Sequence, residues 1–303
     1  MARKKEKEVE VKSNIYIGSR TFDVILILVM ALLSLIFIYP FLNVLAISFS
    51  SNSAIVTGQV TFFPKDFILD GYKMLFKDEN IFQAYFNTIV IAAGSVVFSL
   101  TLTSLMAYVM MVPDFVLKKP LSIYLLITMF FSGGTIPSYL LIRNLGLYNT
   151  IWALILPGAV SAYNVFVYRA FFKGISLELR EAAKIDGAGE FGILVKIYMP
   201  LSKALYATFG MMCAVGVWNS YFSALLYIQD KERQPIQMVL RRIVFANGIG
   251  AMQNANDMIS NGKLNQLNVQ YACIIVTMGP ILLAYPFVQK YFVKGMQVGA
   301  VKG

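Results

Sequence analysis

Six long stretches of this chain contain no charged side chain: residues 24–48, 84–112, 121–142, 151–168, 205–228 and 269–289. Crossing about 30 Å of hydrocarbon takes about 20 helical residues, and each stretch is close to that length. A charge at mid-bilayer costs at least about 2.5–3.5 kcal/mol, so charge-free runs of this length are what lipid demands. Runs this long and uninterrupted favour helices. The expectation is an all-α, polytopic bundle with six transmembrane spans.

The composition agrees: 58% of residues are apolar and 14% charged, against about 45–50% and about 25% in soluble domains. The formal net charge of +10 raises the question of nucleic acid, but a binding face would gather its basic residues into one stripe or patch. Here they stand at the ends of the apolar runs, so no nucleic-acid partner is expected. With an internal N-terminus, six Lys or Arg precede the first run, two are Lys118 and Lys119, six lie between 169 and 203, and three follow the last run. Those 17 compare with nine on the other side, the bias of cytoplasmic loops. Both termini are therefore expected in the cytoplasm.

The basic start followed by an apolar run resembles a secretory signal, but the run exceeds the usual about 7–15 residues and no small-residue cleavage site follows it. It reads as a retained anchor. The expected organisation is a basic cytoplasmic tail over 1–23, a six-span membrane domain over 24–289, and a cytoplasmic tail over 290–303. The expected location is the bacterial cell membrane.

The chain has no His, and thus lacks the commonest general base and metal ligand. Cys213 and Cys273 lie inside apolar runs and read as small packed hydrophobes. No metal site is expected, nor enzyme activity, since no Asp or Glu lies within a run. The same absence disfavours a proton- or sodium-coupled carrier. The one Gly-Lys pair, Gly262-Lys263, is followed by Leu264 and builds no phosphate loop, so an energy source must lie in another protein.

Two connections are long: about 49–83, and an external loop of about 229–268. The second contains an amphipathic stretch over 235–245, which fits either a helix lying on lipid headgroups or a docking surface for an external partner. A polar, Asn- and Gly-rich stretch follows it.

The most informative connection is cytoplasmic, about residues 173–200. Ser176 is placed to cap a helix and Glu178 suits its positive first turn. That helix passes through Glu181, Ala182 and Ala183 and meets Gly187, which permits the positive φ of a sharp reversal. A second short helix follows, and Pro200 is placed to open the fifth span. The spacing of Glu181-Ala182-Ala183, Gly187, Ile197 and Met199-Pro200 resembles the EAA loop of ABC importer permeases, with Met199 standing where that pattern has Leu. In that family the loop forms coupling helices that dock on an ATP-binding subunit. The resemblance implies that Glu181, Ala182, Ala183, Asp186 and Gly187 dock here, with Ile197 and Pro200 completing the motif.

Asn149–Pro157, Arg169–Phe172, Trp218-Asn219 and the segment from Gln289 to Gly303 resemble the maltose-type carbohydrate permeases. Phe131–Pro137 is similar to the branch that imports oligosaccharides derived from polysaccharides. For Gly133, Gly134 and Pro137 the plainer reading is a kink in a membrane helix. Trp218, Asn219, Ser220 and Tyr221 could line a sugar pathway, since aromatic faces stack on sugar rings and an amide pairs with hydroxyls. Packing between helices is the competing explanation. The resemblance implies further partners: ATPase subunits that hold ATP and Mg, a second related permease chain, an extracellular solute-binding protein and a carbohydrate.

Overall fold

The computed structural model describes residues 20–245 and 266–300. Among them every regular element is helical, with no strand. The polar stretch of the external loop and the ends of both tails lie outside the described residues.

Helix α1 (Arg20–Ser48) is apolar over nearly its whole length. Residues 22–40 are exposed on every side, Phe37 to 76%. A helix apolar all round is stable only in a core or in lipid. Its last two turns alone are packed, against α15 (Gln266–Ala300). Two short helices follow, α2 (Asn52–Val56) and α3 (Asp70–Lys77). Helix α4 (Glu79–Met111) is the central mast. Asp78 starts it by accepting the Asn80 N–H at 3.0 Å, and its 33 residues extend for about 50 Å.

The core divides between the two ends of α4. At the Glu79 end, Leu75, Ile81, Trp218, Ile236, Val269 and Cys273 form one buried cluster. At the Met111 end, Met110, Tyr168, Phe172, Ile193 and Tyr198 form another. The second is rich in edge-to-face rings, Tyr108 on Tyr198 at 5.2 Å and Phe172 on Tyr198 at 5.5 Å.

Several expected spans are interrupted. By length and composition three helices are long and apolar enough to cross a membrane unbroken, in α1, α4 and α15, or up to five crossings if each bent pair is one span. Residues 121–142 fall on α5 (Lys118–Phe130) and α6 (Thr135–Asn144), which meet at 118°. The reading of a mere kink is corrected: four non-helical residues intervene, and Gly134, at φ +84°, makes a corner that a side chain would strain. Residues 151–168 split into α7 (Trp152–Ile155) and α8 (Ala162–Lys173) around Pro157 and Gly158. Residues 205–228 split into α12 (Lys203–Asn219) and α13 (Phe222–Tyr227). Pro280 and Pro286 lie within α15.

The amphipathic stretch forms α14 (Ile236–Phe245). Its apolar face is neither laid on headgroups nor open for docking. Ile236, Val239 and Ile243 are buried in the cluster at the Glu79 end of α4. The helix is fastened there by Thr88, which accepts the Ile236 N–H at 2.8 Å while donating to the Ala84 carbonyl.

Amides tie the remaining chain to that end. Asn87 donates to the carbonyls of Glu232 and Gln234 at 2.6 and 3.1 Å. Asn149, at φ +60°, accepts the N–H groups of Gln229 and Asp230. Asn268 donates to the carbonyls of Ile47, Ser48 and Ser50 at 3.2, 2.9 and 3.2 Å, joining the end of α1 to the start of α15. Asn87 and Asn268 thus donate to backbone carbonyls at chain turns and helix ends, while Asn149 accepts backbone N–H groups.

Candidate functional site

The loop between α8 and α12 folds as a pair of short helices around a glycine corner. Ser176 caps α9 (Leu177–Ile185) by accepting the Glu178 N–H at 3.3 Å. The helix ends at Asp186, and Gly187 follows at φ +82°. The Gly187 N–H then closes on the Lys184 carbonyl and the Ala188 N–H on Ala183, at 3.0 and 2.9 Å. Any residue with a Cβ is strained at that φ.

The second helix begins as α10 (Glu190–Ile193), widens into a π turn (Leu194–Tyr198), and ends in the short helix α11 (Met199–Leu201). Ser202 separates α11 from α12, and the axis turns by 84° there. Pro200 thus sits in α11 ahead of that turn, one element before the long helix it was expected to open.

The expected docking residues divide by face. Glu181, Ala182, Asp186 and Gly187 are exposed, and Ile185, between them, is 88% exposed. Ala183 and Ile197 are half-buried against the core at the Met111 end of α4, and Pro200 is exposed. Phe191, on α10, is also exposed, to 70%. The corner thus presents small and apolar groups with carboxylates beside them.

What holds the corner was not found from sequence. The Glu190 carboxylate receives the Arg180 guanidinium at 2.7 Å, the Lys184 ammonium at 2.8 Å and the Tyr108 hydroxyl at 2.6 Å. Arg180 is 5% exposed, so its charge is removed from water and depends on that carboxylate. Desolvation pushes the Glu190 carboxyl upward. Hydrogen bonds from Lys184, Tyr108 and Arg180, with the Arg180 charge, outweigh it and hold the carboxyl at about 2. The same partnership raises Arg180 against the lowering effect of its burial. Arg180 and Lys184, one helical turn apart, were a legible pair. Their meeting with Tyr108, far off in sequence, was not.

The second group of candidates, around the junction of α12 and α13, is dispersed. Trp218 is buried, packs against Tyr85 at 6.1 Å, and donates its indole N–H to the Thr277 carbonyl at 3.2 Å. Asn219, Ser220 and Tyr221 are exposed where the helix breaks. Ser220 lines a small cavity of about 60 Å³ with Thr88, Leu154, Ser223 and Pro235. The Arg241 guanidinium lies 5.9 Å from the centre of the Tyr221 ring. Cys213 is half-buried and Cys273 buried, both as free thiols.

Known proteins share this architecture. Residues 84–298 match the model of the binding-protein-dependent transport system inner membrane component. Over 285 residues the chain is 37% identical to the polygalacturonan/rhamnogalacturonan transport system permease protein YtcP of Bacillus subtilis, covering 94% of this chain and 99% of that protein. It is 39% identical over 286 residues to Protein LplC of the same organism, covering 94% and 96%. The fold is similar to the crystal structure of a bacterial ABC transporter involved in the import of the acidic polysaccharide alginate. That likeness has a TM-score of 0.86 at 29% identity and covers 91% of this chain and 98% of that one. With the family match extending from the start of α4 through nearly all of α15, the chain belongs to the family of binding-protein-dependent transport system inner membrane components.

Proposed function

We propose that this chain is the transmembrane permease subunit of an ATP-driven, binding-protein-dependent importer of oligosaccharides, acting by alternating access. Support for the sugar comes from its relatives, one a permease for polygalacturonan and rhamnogalacturonan and one a transporter for alginate. The substrate class that fits both is a polysaccharide-derived oligosaccharide.

The observation that carries the mechanism is the exposed Gly187 corner, where Glu181, Ala182 and Asp186 face outward from a loop anchored on its other side. In this reading the corner docks in a cleft of a separate ATPase that binds ATP and Mg. Ala182 permits close approach, Ala183 lets α9 sit closely on the core behind it, Glu181 pairs with polar or basic groups, and Gly187 sets the reversal. Ile197 and Pro200 set the second helix against the membrane domain. The wall around an oligosaccharide is completed by a second, related permease chain, and an extracellular solute-binding protein delivers the sugar. Asn219, Ser220 and Tyr221 are candidates for its pathway. We count each charge-free stretch, broken or not, as one crossing, which makes six with both termini in the cytoplasm. The membrane domain then occupies 24–289 between cytoplasmic tails. ATP biases the pathway only if the docked corner makes different contacts in the two states.

The test is reconstitution of the complex with Glu181→Lys or Gly187→Val. Both variants should insert in the membrane and lose sugar-dependent ATP hydrolysis. Unchanged coupling in both refutes the docking role.

A further inference from the structure

The Gly187 corner is joined to the rest of the chain covalently through α8 and α12 alone. A third, noncovalent connection runs to α4. Glu190 opens α10, directly after the corner, and its carboxylate gathers three donors from two other helices. Arg180 and Lys184 come from α9, and Tyr108 comes from the last turn of α4. Tyr108 is itself 4% exposed and packed edge-on against Tyr198, so it has little freedom to follow a retreating carboxylate. Among the described residues Glu190 is the ion-pair partner of the buried Arg180. Separating the two would leave a cation in a desolvated site, which is strongly unfavourable. Arg180 thus holds α9 to α10, and the Tyr108 hydroxyl, beside the packing of Ile193 and Tyr198 on Met110, ties that pair to the end of α4.

The other end of α4 carries Asn87 and Thr88, which fasten the 232–236 segment and the start of α14. A displacement of α4 along or about its axis reaches that end at once, because a helix transmits force through its length. We propose that Glu190 is a positioning residue that latches the coupling corner to α4, so that motion delivered by the ATPase at Gly187 reaches the far end of α4. This rests on the docking role proposed for the corner. Spatial adjacency alone does not prove coupling, so the test must read the motion itself.

The experiment uses the assembled transporter in lipid nanodiscs, with Cys213 and Cys273 replaced by Ala. Spin labels are placed at two exposed positions, Ala188 on the corner and Asp114 just beyond α4. Distances are measured without nucleotide and with ATP and vanadate. In the parent protein the distance should be narrow and the same in both states. In Glu190→Gln the corner should follow the ATPase while α4 stays behind, so the mean distance shifts with nucleotide and the distribution broadens. Tyr108→Phe, which removes one hydroxyl and keeps the ring packing, should show the same shift more weakly. The double variant should be no worse than Glu190→Gln, as expected for two residues sharing one interaction.

ATP hydrolysis without binding protein is read in the same preparations as the control for assembly with the ATPase. A nucleotide-independent, narrow distance in both single variants overturns the latch. So does parallel loss of assembly and hydrolysis in Glu190→Gln with Tyr108→Phe unaltered. If only the latch fails, Gly187→Val still uncouples; if the parent chain binds no ATPase, the docking role and the latch fall together.

Discussion

Gly71→Ala isolates one contact whose energy can be worked from the structure. Gly71 lies in the first turn of α3 with no positive φ. Local propensity therefore favours alanine there, by up to about 1 kcal/mol. The packing opposes it. An added Cβ would stand 2.1 Å from the side-chain oxygen of Asn268 and 3.1 Å from its Cγ. Asn268 cannot turn its amide over, because the NH₂ group already faces three carbonyls. It must withdraw and give those carbonyls up.

Two amide protons make two good bonds at a time, each worth about 1 kcal/mol, and stranding buried carbonyls adds about 1–3 kcal/mol. After the propensity gain, Gly71→Ala should cost about 2–4 kcal/mol. In an Asn268→Ala background the nearest remaining obstacle is the residue-268 backbone oxygen at 3.3 Å. There the same change should be neutral or stabilising. Thermal unfolding of the parent, both single variants and the double variant in mild detergent measures this. A double variant that melts near Asn268→Ala supports the contact, and additive losses refute it.

Glu190 should give stability a pH dependence. Its carboxyl is held at about 2, below the ordinary 4.5. The stabilisation is therefore complete above the ordinary value and is lost as pH falls from there through about 2. The melting-temperature gap between the parent and Glu190→Gln should narrow between about pH 6 and about pH 3, and a constant gap would contradict it. Its side chain is 45% exposed, so solvent screening reduces the size of the effect. Trp218→Phe removes the indole donor to Thr277 and retains most of the ring packing. It should lower stability by about 1 kcal/mol in thermal unfolding and leave the uptake KM for sugar unchanged. Tyr221→Ala, at an exposed position, should instead reduce uptake without altering the melting temperature.

The sequence by itself determined the solvent and the local shapes. Charge-free runs of sufficient length require lipid, and the helices α1, α4 and α15 follow directly, because each of their residues satisfies its own backbone within the segment. The cap at Ser176 and the positive φ at Gly187 were equally legible, since a cap and a reversal depend on neighbours a few positions away. Tertiary structure decided what depends on distant residues. It broke the 121–142 run at Gly134 with a 118° bend, where Gly133, Gly134 and Pro137 had marked only a kink. It turned the apolar face of α14 inward onto α4 and α15, because covering that face with protein also satisfied the Ile236 N–H at Thr88. And it brought Tyr108, 82 positions away, onto Glu190. Charge and spacing mark which side chains can pair, but burial of Arg180 is what obliges them to.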